Sequence, residues 1–249
     1  MKTTYYNLKI ATAPCALKLA VTADLHNSPF DKVIKAIKTE KPDMILIPGD
    51  LMDDIQLDNR DSIGYEFLRQ CVAIAPTYYS VGNHEVACYH RGNHFKKPIP
   101  KPISDTALAR IAETGAIFLD NTAIKTELGI TVCGLSSGLN GEDNFPNKEA
   151  LRSFAEQKGF RILLCHHPEY FYPYIKETDI DLTFSGHAHG GQWRIFGQGI
   201  YAPGQGLFPR YTAGLRENRF IISRGLGNHT HIPRIFNAPE MIFVTVMPS

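Results

Sequence analysis

A chain of 249 residues is long enough to bury a sizeable core, and nothing in its middle reads as a Gly/Ser/Pro linker, so one domain spanning 1–249 is expected. Its 26 Lys and Arg against 25 Asp and Glu give a formal charge of +1, without the positive field of a non-specific nucleic-acid binder, which disfavours DNA or RNA as a partner. Five scattered cysteines (Cys15, Cys71, Cys88, Cys133 and Cys165) show no C-x-x-C spacing, which argues against a disulfide framework or structural zinc and fits a reducing, cytoplasmic setting.

Met1 to Leu19 alternates polar and apolar residues and has neither a hydrophobic h-region nor a twin-arginine pair, so no export signal or anchor is expected there. No later stretch is long and apolar enough to cross a bilayer. Leu17 to Ala23 reads as a strand that runs into Asp24-Leu25-His26. Ser28-Pro29 then offers an N-cap and a first-turn proline, and Phe30, Val33, Ile34 and Ile37 recur at helical spacing. Lys41-Pro42-Asp43 ends that helix, and the strand Met44 to Ile47 delivers Gly49-Asp50. Ile63, Phe67, Leu68 and Val72 predict a second helix, closed by Pro76 before the strand Thr77 to Val81 enters Gly82-Asn83-His84-Glu85.

A helix from Ser104, with Leu108 and Ile111 inward, leads to a strand over Ala116 to Leu119. Ala123 to Glu127 and Ile130 to Leu135 form a hairpin about Leu128-Gly129, and a helix carrying Leu151 and Phe154 follows Asn147. Phe160 to Cys165 ends at His166-His167, and Leu182 to Phe184 ends at Ser185-Gly186-His187-Ala188-His189. Phe220 to Ser223 and Met241 to Val246 are late strands. Strands alternating with helices of this length predict an α/β fold with right-handed crossovers, two sheets face to face and helices outside.

In such layers the reactive side chains occupy loops beyond the carboxyl ends of strands, and Asp24, Asp50, Asn83, His166 and His187 all hold that position. The five motifs supply the nitrogen and oxygen donors that two neighbouring divalent cations need. Asp50, just after a glycine that permits close backbone approach, is the natural bridge. Asp24, His26 and His189 complete one site; Asn83, His166 and His187 complete the other. Carboxylate, imidazole and amide donors without thiolate suit Mn, Fe or Zn better than calcium. Two dications offset by two aspartates and a bridging hydroxide leave a positive centre, which favours a phosphate anion. Ions roughly 3.5–4 Å apart activate the shared water for in-line displacement. His84, beside Asn83 and not needed as a ligand, is placed to protonate the leaving oxygen or to stabilise equatorial charge.

The order D-x-H, G-D, G-N-H-E, H, G-H-x-H from Asp24 to His189 resembles the calcineurin-like metallophosphoesterase superfamily. The resemblance implies a four-layer α-β-β-α sandwich with two mixed sheets, a dinuclear Mn, Fe or Zn centre, and the ligand roles given above. It also favours His166 over His167 as the ligand, leaving His167 a supporting or packing residue. Gly190-Gly191-Gln192, Ser223-Arg224-Gly225-Leu226-Gly227 and Pro239-Glu240 look like the bacterial phosphodiesterase branch that includes YkuE and YaeI. That branch implies a phosphodiester or related ester, of a small molecule or a lipid-linked substrate. Cys133-Gly134-Leu135-Ser136-Ser137 departs from it, standing where the branch has an acidic G-x-D-D-like stretch.

The competing reading is a non-catalytic metal-binding interaction module on the same fold. Residues 88–104, with His90, Arg91, His94, Lys96, Lys97 and Lys101, read either as a solvated loop or as a cationic lid over the site. Cys88 reads as incidental rather than redox-active, Cys165 as a small core hydrophobe, and His229 and His231 as surface residues. Trp193, Tyr201, Phe208 and Tyr211 are expected to pack in the core or against loops. Natural substrate, native metal and oligomeric state are not encoded legibly.

Overall fold

The apolar runs that precede each motif become the inner strands of two six-stranded sheets. The computed structural model describes residues 1–87, 101–137, 146–228 and 232–249. In chain order its first half comprises β1 (Lys2–Lys9), β2 (Leu17–Val21), α1 (Asp31–Glu40), β3 (Met44–Pro48), α2 (Asp54–Leu57), α3 (Ile63–Val72), β4 (Thr77–Ser80), α4 (Asp105–Glu113) and β5 (Ile117–Leu119). Then follow β6 (Thr122–Lys125), β7 (Thr131–Leu135), α5 (Lys148–Ala155), β8 (Arg161–Cys165) and β9 (Leu182–Ser185). Four two-residue strands come next: β10 (Arg194–Ile195), β11 (Gln198–Gly199), β12 (Tyr201–Ala202) and β13 (Gly206–Leu207). The last elements are β14 (Gly214–Arg216), β15 (Phe220–Ile222) and β16 (Glu240–Met247).

One sheet runs β1-β16-β2-β3-β4-β5 and the other β14-β15-β9-β8-β7-β6. Both are mixed: β2 through β5 and β7 through β9 are parallel, whereas β16 pairs antiparallel with β2 and β6 with β7. Alternation sorts the side chains into layers. Leu17, Leu19 and Val21 of β2 meet Ile162 and Leu164 of β8 in the core between the sheets. Ala20 turns the other way, to Val33, Ile34 and Ile37 of α1 and to Phe67, Leu68 and Cys71 of α3. On the second sheet Leu163 and Cys165 face out to Leu151 and Phe154 of α5. The result is the α-β-β-α sandwich that the sequence implies.

Several local expectations change. α1 begins at Asp31 with Phe30 at its N-cap, not at Ser28-Pro29, because Asn27 adopts a left-handed φ of 52° and its side chain takes hydrogen bonds from Ser62 Oγ and Gly64 N. Leu108 is exposed; Ala107 and Ile111 carry the inward face of α4. Lys2–Lys9, read only as an alternating terminus, is an edge strand parallel to β16. Trp193, Tyr201 and Phe208 are exposed rather than packed. Cys15, Cys71, Cys133 and Cys165 are free thiols, the last three buried. Cys88, residues 88–100 of the basic stretch, and His229 and His231 lie outside the described residues. Among the described residues no helix is long and apolar enough to cross a membrane.

Candidate metal centre

Each motif leaves the carboxyl end of its strand and turns sharply. Asp24, His26, Asp50, His187 and His189 all have left-handed backbones, with φ of 52°, 46°, 55°, 65° and 45°. Such conformations cost of order 1–3 kcal/mol each in non-glycine residues, and they persist where the surroundings over-determine them, typically at functional sites. Close-packed glycines supply those surroundings. A Cβ on Gly82 would lie 2.1 Å from Asp50 Oδ1, and one on Gly186 would lie 2.5 Å from Asp24 Oδ2. Backbone N–H groups then fix the carboxylates: His84 N donates to Asp50 Oδ1 at 2.9 Å and His187 N to Asp24 Oδ1 at 2.8 Å.

All eight sequence-predicted site residues come together, seven of them as two donor groups with His84 beside them. In the first, His26 Nε2 lies 3.2 Å from His189 Nε2, which is 3.6 Å from Asp24 Oδ1. In the second, His166 Nε2 lies 3.0 Å from Asp50 Oδ2, and His187 Nδ1 lies 2.8 Å from Asn83 Oδ1. Asp50 Oδ2 is also 3.7 Å from His26 Nε2, so one carboxylate oxygen faces both groups. His84 Nε2 approaches the same oxygen at 4.0 Å.

The remaining ring nitrogens are held from behind, as metal-ligating histidines usually are. His166 Nδ1 donates to the Pro48 carbonyl at 2.8 Å, which leaves Nε2 to face the centre. Asp53 Oδ1 lies 2.8 Å from His84 Nδ1 and 3.4 Å from His26 Nδ1, setting both rings. Arg234 donates to His189 Nδ1 at 2.9 Å, and Asn237 donates to the His189 carbonyl at 2.6 Å. Behind the second group, His167 bridges Ser137 Oγ and Glu169, whose Oε1 is 3.0 Å away, and its ring leans on His187.

Sequence reasoning missed Asp53, Glu169, Arg234 and Asn237. Only Asp53 left a signal, an acid three residues beyond Asp50 in the same loop.

The donors fit divalent cations. Asp24 Oδ2 is buried without a hydrogen-bond partner, and His166 Nε2, although near Asp50, misses hydrogen-bond alignment with it. Burial raises the Asp24 carboxyl above its ordinary range. At Asp50 the effect of burial is outweighed by His166 and His84, which hold its carboxyl well below that range. At His166 burial is outweighed by Asp50 and Asp24, which lift the imidazole to about 10. Burial, with positive neighbours, keeps His187 and His189 well below the usual imidazole value. A field that draws a proton onto His166, beside two rings that stay neutral, is one that a cation would satisfy better.

The calcineurin-like phosphoesterase family matches residues 17–191, from β2 through the last candidate ligand, and the chain belongs to this family. Among its relatives, the uncharacterized metallophosphoesterase Cj0846 of Campylobacter jejuni is 31% identical over 90% of this chain. The chain spans only 55% of that protein's length. The uncharacterized metallophosphoesterase YkuE of Bacillus subtilis is 26% identical over the whole chain and 86% of its own length. Phosphodiesterase YaeI of Escherichia coli is 29% identical over 85% of this chain and 75% of its own.

Proposed function

We propose that this protein is a dinuclear-metal phosphodiesterase of small-molecule or lipid-linked substrates. The observation that carries the reading is Asp50 Oδ2, which faces the Asp24–His26–His189 group and the Asn83–His166–His187 group at once. Asp24, His26 and His189 would hold one Mn, Fe or Zn ion, Asn83, His166 and His187 the other, with Asp50 between them. When bound, the pair supplies a nucleophilic oxygen near neutral pH and positive charge for the phosphoryl oxygens.

The chain's own residues do the rest. Backbone N–H donation and the glycine floor keep Asp24 and Asp50 in place, so no reorganisation is needed as charge develops. Asp53 orients His84 through Nδ1 and turns Nε2 toward the centre. In the metal-free protein burial opposes protonation of His84, but Asp50 and Asp53 outweigh it and raise the imidazole above its ordinary value. With Nδ1 turned to Asp53, Nε2 is the ring nitrogen placed to pass a proton to a leaving alkoxide or aryloxide. The name of YaeI supports a diester over a monoester. The core shared by both sheets supports treating 1–249 as one domain, and the free thiols support a cytoplasmic, reducing compartment.

Metal analysis of purified protein is expected to return two ions per chain, and turnover with Mn²⁺ to be faster on an aryl phosphodiester than on the monoester. His84→Ala should retain both ions while kcat falls by about 10²–10⁴-fold. Metal-loaded protein that turns over neither ester would favour the interaction-module reading instead.

Loading should also release protons, because a cation at His166 Nε2 displaces the proton held there with a pKa of about 10. Apparent affinity should therefore fall as pH falls. Titration calorimetry in buffers of differing ionisation enthalpy reads the release directly, and equal heats in all buffers would contradict it.

A further inference from the structure

A histidine that gives one ring nitrogen to a cation carries its proton on the other, and that N–H needs an acceptor. At His187 the nitrogen toward the second donor group is Nδ1, 2.8 Å from Asn83 Oδ1. Nε2, across the ring, lies 4.0 Å from Glu169 Oε1. Glu169 is largely buried, and its Oε2 has no hydrogen-bond partner. The surroundings hold this carboxylate still. Its Oε1 accepts from His167 Nδ1 at 3.0 Å. With that proton on Nδ1, His167 Nε2 is an acceptor, and Ser137 Oγ donates to it. The His167 ring is packed between Tyr170, with centroids 4.8 Å apart, and His187, at 4.2 Å. The turn between β12 and β13 closes another side, where a Cβ on Gly204 would lie 2.5 Å from Glu169 Oε1.

The 4.0 Å gap and the unspent Oε2 have one cause. In the metal-free protein Asn83 Oδ1 accepts, so the His187 proton stands on Nδ1 and Nε2 shows Glu169 only a lone pair. Two acceptors do not approach each other. A cation at Nδ1 requires the ring's single proton on Nε2, by exchange with water: one N–H bond breaks at Nδ1 and one forms at Nε2. Glu169 is then the acceptor that faces it. Charge argues the same way. The first group has Asp24 to itself, whereas the second has two imidazoles, an amide and only a share in Asp50. Glu169 supplies, one ring away, the carboxylate that the second group lacks.

We propose that Glu169 positions His187 by accepting a hydrogen bond from its Nε2, which fixes Nδ1 on the second ion, and that Ser137 and His167 anchor Glu169 for this task. The inference rests on the dinuclear reading, and counting ions on the wild-type protein tests that reading by itself.

The test is equilibrium titration of the metal-free full chain with Mn²⁺, joined to ¹⁵N-histidine NMR of the chain with and without Zn²⁺. Wild type should take up two ions. Glu169→Gln should bind one of them as wild type does and the other about 10–100-fold more weakly. Adding Asn83→Ala should weaken that same ion and spare the first. The metal-free melting temperature of Glu169→Gln should stay close to wild type, because glutamine still offers an oxygen to His167. In wild type the His187 proton should pass from Nδ1 to Nε2 on Zn²⁺ loading and exchange slowly with water, and in Glu169→Gln the Nε2 proton should exchange fast. Wild type that takes up fewer than two ions would overturn the dinuclear reading and this inference with it. Two ions held equally by wild type and Glu169→Gln, or a His187 proton that stays on Nδ1 in the Zn²⁺ form, would overturn the positioning role alone. So would a large fall in the metal-free melting temperature, which marks a structural carboxylate, or a third ion bound only by wild type, which would make Glu169 itself a ligand.

Discussion

Glu85→Ala is expected to destabilise the metal-free protein by about 3–5 kcal/mol, which for a chain of this size lowers the melting temperature by roughly 10 °C. Glu85 is buried and acts only as an acceptor. Its Oε2 takes hydrogen bonds from Gly82 N at 2.7 Å and Asp50 N at 3.0 Å. Its Oε1 takes them from Leu51 N at 2.7 Å, Met52 N at 3.2 Å and Tyr79 Oη at 2.7 Å. Alanine leaves those donors unpaired inside the protein. Glu85→Gln is predicted to do nearly as badly, because its amide nitrogen would face donors whichever way the group is turned. Denaturant titration in the presence of chelator isolates this effect from metal loss. A midpoint within error of wild type for the alanine variant would refute the role.

Asp50→Asn is expected to cost about three orders of magnitude in kcat and at least one of the two metal ions, with the fold retained. Asparagine keeps an oxygen to accept from His84 N, so the backbone of the turn remains supported. What disappears is the charge that both donor groups face. Without it His166 also loses the partner that most strongly favours its protonated form, so proton release on metal loading should shrink. Elemental analysis and steady-state kinetics on the same preparation read both outcomes. Full activity with two bound ions would remove Asp50 from its bridging role.

Much of the architecture is legible because β2, β3 and β8 are each a short, mainly apolar run that ends at a polar motif, and the buried β4 and β9 end the same way. Burial on both faces and chemistry at the tip leave the same imprint every time. β1 escapes because Lys2-Thr3-Thr4-Tyr5-Tyr6-Asn7 belongs to a half-exposed edge strand, whose pairing comes from β16 at the far end of the chain. The β10–β13 ribbons escape because each strand has only two residues, too few to establish a period. Ser28-Pro29 carries a helix-start signature, yet tertiary hydrogen bonds to Asn27 delay the helix to Asp31.

At the centre, the residues that point inward announced themselves through short motifs, whereas those that steady them did not. Arg234 reaches His189 from 45 positions away, and no local pattern encodes that meeting. Glu85 lay inside a recognised motif, but its task, gathering backbone donors from two separate loops, emerges only in three dimensions. Asp53, three residues past Asp50 in the same loop, was passed over as well, and only its two histidine partners give it a function.

Because every motif exits the same end of its sheet, the opposite rim of the sandwich carries none of the chemistry. The β6–β7 turn lies on that rim, and a side chain added at Gly129 would meet no atom within 4 Å. An affinity tag or fluorescent reporter spliced there would leave the end that carries the candidate metal centre untouched, and it offers a way to immobilise the molecule with that end facing outward.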